Sequence, residues 1–213
     1  MRIVLSALTF TLLASAQRSV PIDNEQVKVL SVVDPASRPP GRMHDHKMNR
    51  VMIYLDGGTQ RLAYQDGKVE DLKLRAGQAL WSPASGMHTS QNMDAKPHRL
   101  VELELKGQPK PFKAPALDPV KVHPSGYKVE IDNPQVRVIR VRMNPKQKIP
   151  LHEHALNRVV VYLKPQKIKV TPDGGAATEI SPAENEVRFS TPGRHTEENL
   201  GDGPVELLMI ELK

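Results

Sequence analysis

The sequence predicts an all-β protein made of two copies of one small domain, and three observations support this prediction. A phrase of eight residues occurs twice, 108 positions apart, as HDHKMNRV at 44–51 and HEHALNRV at 152–159. Similar segments precede both copies, at 23–29 and 132–138. Short runs of β-branched residues, broken by 13 glycines and 19 prolines, are typical of a sandwich or barrel, with the jelly roll among the options.

A targeting segment comes first along the chain. Arg2 supplies a positive charge, residues 3–13 form an apolar run, and Ala-Ser-Ala at 14–16 is typical of a signal-peptidase site. We therefore expect a signal peptide over 1–16, a mature chain from near Gln17, and an exported protein, periplasmic or extracellular. With no cysteine in the chain, neither a lipid attachment point nor a disulfide framework is expected.

The predicted strands follow the duplication. Residues 27–30 and 136–141 are short apolar runs, and residues 102–105 alternate Glu with Leu, which is the period of a half-buried strand. Asp66-Gly67 and residues 172–175 carry hairpin-turn signals. No stretch after the targeting segment sustains a long period of 3.6 residues, so long helices are not expected.

Five prolines between positions 109 and 124 separate the two copies. Such a density predicts an extended, semi-rigid connector that belongs to neither core. We therefore place the first domain at 17–107, the linker at 108–126 and the second domain at 127–213.

Composition and motifs narrow the expected partners. The net charge of +6 is dispersed, and aromatic residues make up only 4% of the chain, so nucleic-acid binding is not expected. Neither a phosphate-binding loop nor a dinucleotide fingerprint is present, which argues against a nucleotide cofactor, and no Cys nucleophile or G-x-S-x-G elbow occurs. A small-molecule ligand is expected, with no membrane contact after signal cleavage; homo-oligomerisation stays open.

Six of the eight histidines occupy equivalent positions in the two copies. They are His44, His46 and His88 in the first copy and His152, His154 and His195 in the second. Two histidines separated by one residue point to the same side of a strand, so each copy can present three imidazoles to one ligand. Three neutral imidazoles are a common ligand set for a divalent metal such as Fe, Zn, Mn or Ni, and they leave open coordination positions.

These motifs resemble the two signature segments of the cupins. The first segment begins with His-x-His, and the second ends with glycine, histidine and asparagine. The first copy carries the second segment as Gly77, Pro83, Gly86, His88 and Asn92, with small changes of spacing. The second copy keeps Gly193, His195 and Asn199. The resemblance covers nearly all of 23–213 and implies two tandem jelly-roll barrels, a bicupin.

Both copies depart from the cupin pattern at its glutamate ligand. Arg50 and Arg158 follow the His-x-His pairs after three intervening residues, and valine follows each. An arginine there would repel a cation, yet it could also pair with an anionic substrate. Glu197 shares a strand face with His195 and is a candidate substitute ligand. Its counterpart is Ser90, so we favour the second copy as the metal site.

The resemblance leaves several functions open. If the protein is an enzyme, cupin relatives imply a metal-dependent oxygenase acting on a small organic molecule. The alternatives are a non-catalytic small-molecule-binding module and a structural duplicate without metal. The candidate substrate contacts are Arg50, Arg158, Asn92, Asn199 and Trp81. Each has an ordinary structural role as its alternative: a solvated arginine, a turn asparagine or a core tryptophan.

Overall fold

The computed structural model describes residues 16–36 and 39–213. The first copy contains β1 (Gln17–Asp23), β2 (Val27–Asp34), β3 (His44–His46), β4 (Arg50–Tyr54), β5 (Gly58–Tyr64), β6 (Val69–Leu74), β7 (Gln78–Ser82), β8 (Ser85–Asn92) and β9 (His98–Leu105). After the four-residue helix α1 (Pro119–Val122), the second copy contains β10 (Tyr127–Asp132), β11 (Val136–Met143), β12 (Lys148–His154), β13 (Arg158–Tyr162), β14 (Ile168–Pro172), β15 (Thr178–Ile180), β16 (Val187–Ser190), β17 (Gly193–Asn199) and β18 (Val205–Leu212). The predicted signal peptide lies outside the described residues apart from Ala16. In the described ranges, no helix is long and apolar enough to cross a membrane.

The duplication is repeated in the sheet topology. Each copy has a five-stranded antiparallel sheet, ordered β1-β2-β9-β4-β7 in the first and β10-β11-β18-β13-β16 in the second. Each also has a four-stranded sheet, ordered β3-β8-β5-β6 and β12-β17-β14-β15. Each strand of the second copy therefore takes the same place in its sheet as the strand whose number is nine lower, so that β10 corresponds to β1 and β18 to β9. The prediction of two tandem jelly-roll barrels is confirmed.

The two five-stranded sheets share one apolar cluster. Val29, Ile53 and Leu103 of the first barrel pack in it with Val138 and Ile210 of the second, and none of these side chains is exposed. Because this cluster takes one face of each sheet, the opposite face of the same strands lines the barrel interior. Among the described residues, the largest apolar cluster therefore lies between the barrels.

This arrangement corrects the prediction of a half-buried strand at residues 102–105. Leu103 and Leu105 of β9 face the shared cluster, but Glu102 is only 5% exposed because it faces the interior of its barrel. Apolar residues of this strand face the shared cluster and polar residues face the barrel interior. Both faces are buried, so the alternation does not mark a surface exposed to water.

Two reciprocal side-chain hydrogen bonds also connect the barrels. Asn49 Nδ2 donates to Gln135 Oε1 at 2.6 Å, and Asn157 Nδ2 donates to Gln26 Oε1 at 2.5 Å. Asn49 and Asn157 are equivalent in the repeat, as are Gln26 and Gln135. The asparagine of each repeated Asn-Arg pair therefore holds its barrel against the other barrel.

The linker differs in part from the expected extended connector. Residues 108–115 lack regular structure, but Asp118 caps α1 by accepting from the Val120 amide at 3.0 Å. Asp118 is buried and Val120 packs against the core of the second barrel. The proline at the first turn of α1 suits its fixed φ angle. This end of the linker is therefore part of the second barrel.

We expect the two barrels to unfold as one unit because they share an apolar cluster. Leu103→Ala should lower the free energy of unfolding by about 2–5 kcal/mol, since Leu103 is fully buried. A urea titration should show one transition moved as a whole. Val129→Ala, at a 40% exposed position, serves as the control with an expected change within about 0.5 kcal/mol. Two transitions, of which only one moves, would contradict the shared core.

Candidate functional site

The three histidines of the second barrel form a compact cluster. β12 carries His152 and His154, while β17 carries His195 as the direct cross-strand partner of His152. Their ring centroids lie 4.5–5.2 Å apart. Each residue offers one ligand atom, and these atoms all lie within 4.8 Å of one another. The spacing of the His-x-His motif and the pairing of two strands therefore bring the imidazoles together as predicted.

Hydrogen bonds at the outer ring nitrogens orient this cluster. His152 Nδ1 donates to the Pro150 carbonyl at 2.9 Å, and His154 Nδ1 donates to Glu211 Oε1 at 3.5 Å. The Nε2 atoms of His152, His154 and His195 are buried, and none has a hydrogen-bond partner among the described residues. Unpaired buried polar atoms are rare and costly. Three unpaired Nε2 atoms in one cluster therefore indicate a binding site for a group that accepts their lone pairs, such as a metal ion.

The protonation state of this cluster also suits a cation. Burial lowers the pKa of His154 to about 4, although the Glu211 carboxylate acts in the opposite direction. Burial also lowers the pKa of His152. Both rings are therefore neutral at pH 7, which is the form of imidazole that binds metals.

A carboxylate completes the second cluster. Glu197 Oε1 lies 3.3 Å from His195 Nε2, at an angle that makes no hydrogen bond, and the Tyr127 hydroxyl donates to Glu197 Oε2 at 2.9 Å. Burial would raise the pKa of Glu197, but the interactions with His195 and the other two imidazoles outweigh it and lower the pKa to about 2. The ionised Glu197 thus stands beside the three imidazoles, where the sequence predicts a substitute ligand.

Behind His154 lies a buried chain of charges that the sequence analysis missed. Arg137 Nε donates to Glu211 Oε2 at 2.6 Å, and Arg137 Nη2 donates to Asp118 Oδ2 at 2.5 Å. The chain therefore runs from the linker through Arg137 and Glu211 to His154. A carboxylate behind a histidine fixes the tautomer that presents Nε2 inward. The available signal was the Glu-Leu-Lys ending at 211–213, which repeats 104–106 of the first copy.

The first barrel brings its histidines together in the same way. The ring centroids of His44, His46 and His88 lie 4.8–5.3 Å apart. His44 Nδ1 donates to the Arg42 carbonyl at 2.8 Å, and His88 Nδ1 donates to the Gly86 carbonyl at 3.0 Å. The His44 ring is thus oriented like its counterpart His152, by the carbonyl two residues earlier.

The third ring, His46, differs because Arg50 occupies its inner nitrogen. Arg50 Nη1 donates to His46 Nε2 at 2.8 Å and to Glu102 Oε1 at 2.7 Å, while Nη2 donates to Ser82 Oγ at 2.9 Å. Arg50 is buried, at 6% exposure. Burial, together with the charge of Arg50, lowers the pKa of His46 to about 4. A cation entering this cluster would have to displace the guanidinium.

Arg158, the counterpart of Arg50, makes a different contact. Its Nη1 donates to the Thr191 carbonyl at 2.7 Å, and it makes no hydrogen bond to His154 within the described ranges. The position equivalent to Glu102 is Met209, as the strand registers show: Glu102 pairs with Met52, and Met209 pairs with Val160. Neither side chain is the solvated arginine of the structural alternative, since both are buried beside the histidines.

The interior of the first barrel contains a cavity of about 760 Å³. Its wall includes His44, His88, Arg50, Gln60, Tyr64 and Trp81. In the second barrel, buried apolar side chains fill the corresponding space. Polar residues or glycine of the first barrel replace five of them: Asp34, Gly41, Gln60, His98 and Glu102 stand where the second barrel has Met143, Ile149, Ile168, Val205 and Met209.

Acidic residues are prominent in the wall of this cavity. Three arginines line it together with five carboxylate side chains. Carboxylates therefore outnumber arginines in this wall, although the whole chain has a net positive charge. Trp81 lines the cavity and also packs against the shared cluster, so it combines the two roles predicted for it.

Asn92 and Asn199 hold turns. Asn92 Nδ2 donates to the Asp34, Pro35 and Lys96 carbonyls, and its Oδ1 accepts from the Asp94 amide. Asn199 Nδ2 donates to the carbonyls of Asn144 and Gly203, and its Oδ1 accepts from the Gly201 amide. Asn92 is absent from the cavity wall. Both side-chain amides are thus committed to the backbone, and the turn alternative describes them better than substrate contact does.

The fold and the histidine clusters together define a duplicated jelly-roll protein with metal-site geometry, and comparisons with solved structures agree. AerE from Microcystis aeruginosa matches with a TM-score of 0.62 and 14% identity over 92% of this chain and 97% of its own. The oxalate decarboxylase of Bacillus subtilis, described with Mn(II) centres, matches with a TM-score of 0.63 and 15% identity over 93% of this chain and 72% of its own. No protein-family model and no curated protein sequence matches the chain. The chain has the cupin fold, as two cupin barrels in tandem, which confirms the resemblance seen in its motifs.

The two arginines provide a matched test of the buried ion pair. Arg50→Met leaves the buried Glu102 carboxylate without its partner and should lower the free energy of unfolding by about 3–5 kcal/mol. Arg158→Met removes a bond to a carbonyl and should cost no more than about 1–2 kcal/mol. Urea unfolding of the two variants at pH 7.5 measures the difference; equal losses would show that the Arg50–Glu102 pair contributes nothing.

The depressed pKa of His154 predicts acid sensitivity of the metal-free protein. Its pKa falls from 6.5 to about 4 on folding, so below pH 6.5 the unfolded chain takes up a proton that the folded chain refuses. The free energy of unfolding should therefore fall between pH 6.5 and 4, with His154 contributing up to about 3 kcal/mol. Urea titrations of chelator-treated protein across this range measure it. The His154→Gln variant should lose part of the pH dependence, and an unchanged slope would contradict the assignment.

Proposed function

We propose that this protein is a metal-dependent bicupin that holds one divalent ion in its second barrel and acts on a small organic molecule. The observation that carries the proposal is the convergence of three buried, unpartnered Nε2 atoms beside the ionised Glu197. An apolar core of this kind leaves such atoms unpaired only at a cost. A metal ion would satisfy all of them at once.

The donor chemistry supports a divalent transition metal. Three neutral imidazoles and one carboxylate suit Mn, Fe, Zn or Ni, and they do not choose among these metals. The structurally similar oxalate decarboxylase carries Mn(II), which makes manganese a suitable first probe. When bound, the ion would supply a Lewis acid or a redox centre.

The residues around the cluster hold its ligands in place. Glu211 accepts from His154 Nδ1 and is itself held by Arg137, which fixes the ring that presents Nε2. Tyr127 donates to the outer oxygen of Glu197 and leaves the oxygen nearer His195 available. The buried Arg158 places a positive charge close to the site, where it would orient an acidic group of a substrate.

Oxidation of the bound molecule is the reaction class that we propose, on the resemblance to cupin oxygenases. The first-barrel cavity favours a second candidate function, which is binding of a small molecule without chemistry. The wall of this cavity carries charged and polar side chains among apolar ones, and Arg50 closes its histidine cluster to a cation. The two functions are compatible, with ligand binding in one barrel and metal in the other.

Export to the periplasm or the extracellular space is also part of the proposal. It rests on Arg2, the apolar run and the Ala-Ser-Ala sequence before Gln17. N-terminal sequencing of protein recovered outside the cytoplasm should start near Gln17; a start at Met1 would contradict cleavage.

Metal analysis separates the two barrels. After incubation with Mn²⁺ or Co²⁺ and removal of free ion, wild type without a histidine tag should retain one ion per chain, because one complete ligand set is open. His152→Ala/His154→Ala should retain none. Elemental analysis gives the ratio, and circular dichroism confirms folding.

The matched control is His44→Ala/His46→Ala, which makes the same change at the equivalent positions of the first barrel. It should retain the single ion. Metal-free wild type would refute the proposal. Loss of the ion in His44→Ala/His46→Ala alone would place the metal in the first barrel and also contradict it.

A further inference from the structure

We infer that Glu102 closes the first histidine cluster to metal by holding Arg50 on His46, and that Met209 leaves the second cluster open. The inference rests on the proposed metal site of the second barrel and goes beyond it, because it names the residue that decides which barrel takes the ion.

The internal duplication supplies the comparison. Arg50 and Arg158 pair across the same strands with residues of the same type: Arg50 faces Ser82 and Glu104, and Arg158 faces Ser190 and Glu211. Arginine and its cross-strand neighbours therefore cannot explain why the two guanidinium groups take different positions.

The difference lies two residues before the glutamate that faces each arginine, Glu104 in β9 and Glu211 in β18. Glu102 lies in the interior of the first barrel and is 5% exposed, and its carboxylate accepts from Arg50 at 2.7 Å. At the equivalent position, Met209 is equally buried and offers no charge. A buried carboxylate strongly attracts a buried guanidinium because little water screens the pair.

The position of the guanidinium decides the state of the imidazole. Arg50 Nη1 uses the lone pair of His46 Nε2, which is the lone pair that a metal would need. The guanidinium also places a positive charge within the cluster, which repels a second cation. In the second barrel, Arg158 bonds to the Thr191 carbonyl, and His154 Nε2 has no partner among the described residues.

The second barrel also shows that an arginine without a carboxylate bond is tolerated at this position. Arg158 is 8% exposed and donates to a main-chain carbonyl. Glu102→Met should therefore let Arg50 leave His46 Nε2, as Arg158 leaves His154 Nε2 unbonded in the second barrel. Since Ser90 replaces Glu197 there, the opened cluster would offer three imidazoles and bind the ion more weakly than the second barrel does.

The experiment measures bound Co²⁺ and Mn²⁺ per chain in wild type and in Glu102→Met, with the purified full chain and without any activity assay. Wild type should bind one ion and Glu102→Met two, the second more weakly. Adding His44→Ala to Glu102→Met should remove the additional ion. Arg50→Met/Glu102→Met removes the ion pair as a whole, which is often neutral for stability, and it should also bind two ions.

The outcomes distinguish this inference from the proposed function. Metal-free wild type refutes the proposed function itself. One ion in wild type and still one in the folded double variant overturns the inference while leaving the second-barrel site intact. Two ions in the double variant but one in folded Glu102→Met would show that Arg50 blocks the cluster without Glu102, which also overturns the role of Glu102.

Discussion

The apolar cluster between the two five-stranded sheets is the constraint on which the rest of the structure depends. Its members, such as Leu103 and Ile210, are fully buried, and they remove one face of each sheet from water. Polar residues that alternate with them on the same strands must then face the barrel interiors. Glu102 and Glu211, together with Arg50 and Arg158, are buried for this reason.

Burial of these charges requires partners, and the choice of partners distinguishes the barrels. In the second barrel, Arg137, which also donates to Asp118, holds Glu211, and His154 Nε2 has no partner among the described residues. In the first barrel, Glu102 holds Arg50, and Arg50 takes the equivalent nitrogen of His46. The same fold and the same three histidines thus give one cluster open to a metal and one closed by an internal cation.

The interiors of the two barrels differ in a way that agrees with this difference between the histidine clusters. Apolar residues fill the second barrel around its histidines, whereas glycine and polar residues at the equivalent positions leave a cavity of about 760 Å³ in the first. Gly41 in place of Ile149 shows the effect most simply, since an entire buried side chain is missing. This divergence would let the second barrel hold a metal and the first a small organic ligand, as proposed above, while both keep the same strand order.

The sequence by itself determined the duplication, the β class, the barrel type and the three histidines of each cluster. These features depend on local patterns: strand alternation, turn residues and the His-x-His spacing, each of which is encoded within a few positions. Tertiary structure alone decided which imidazoles are free, that Glu102 and Glu211 face inward, and that Asn92 and Asn199 hold turns. The deciding contact, Arg50 with Glu102, joins residues 52 positions apart on neighbouring strands. Its strength comes from burial in the interior of the first barrel, which no local pattern contains.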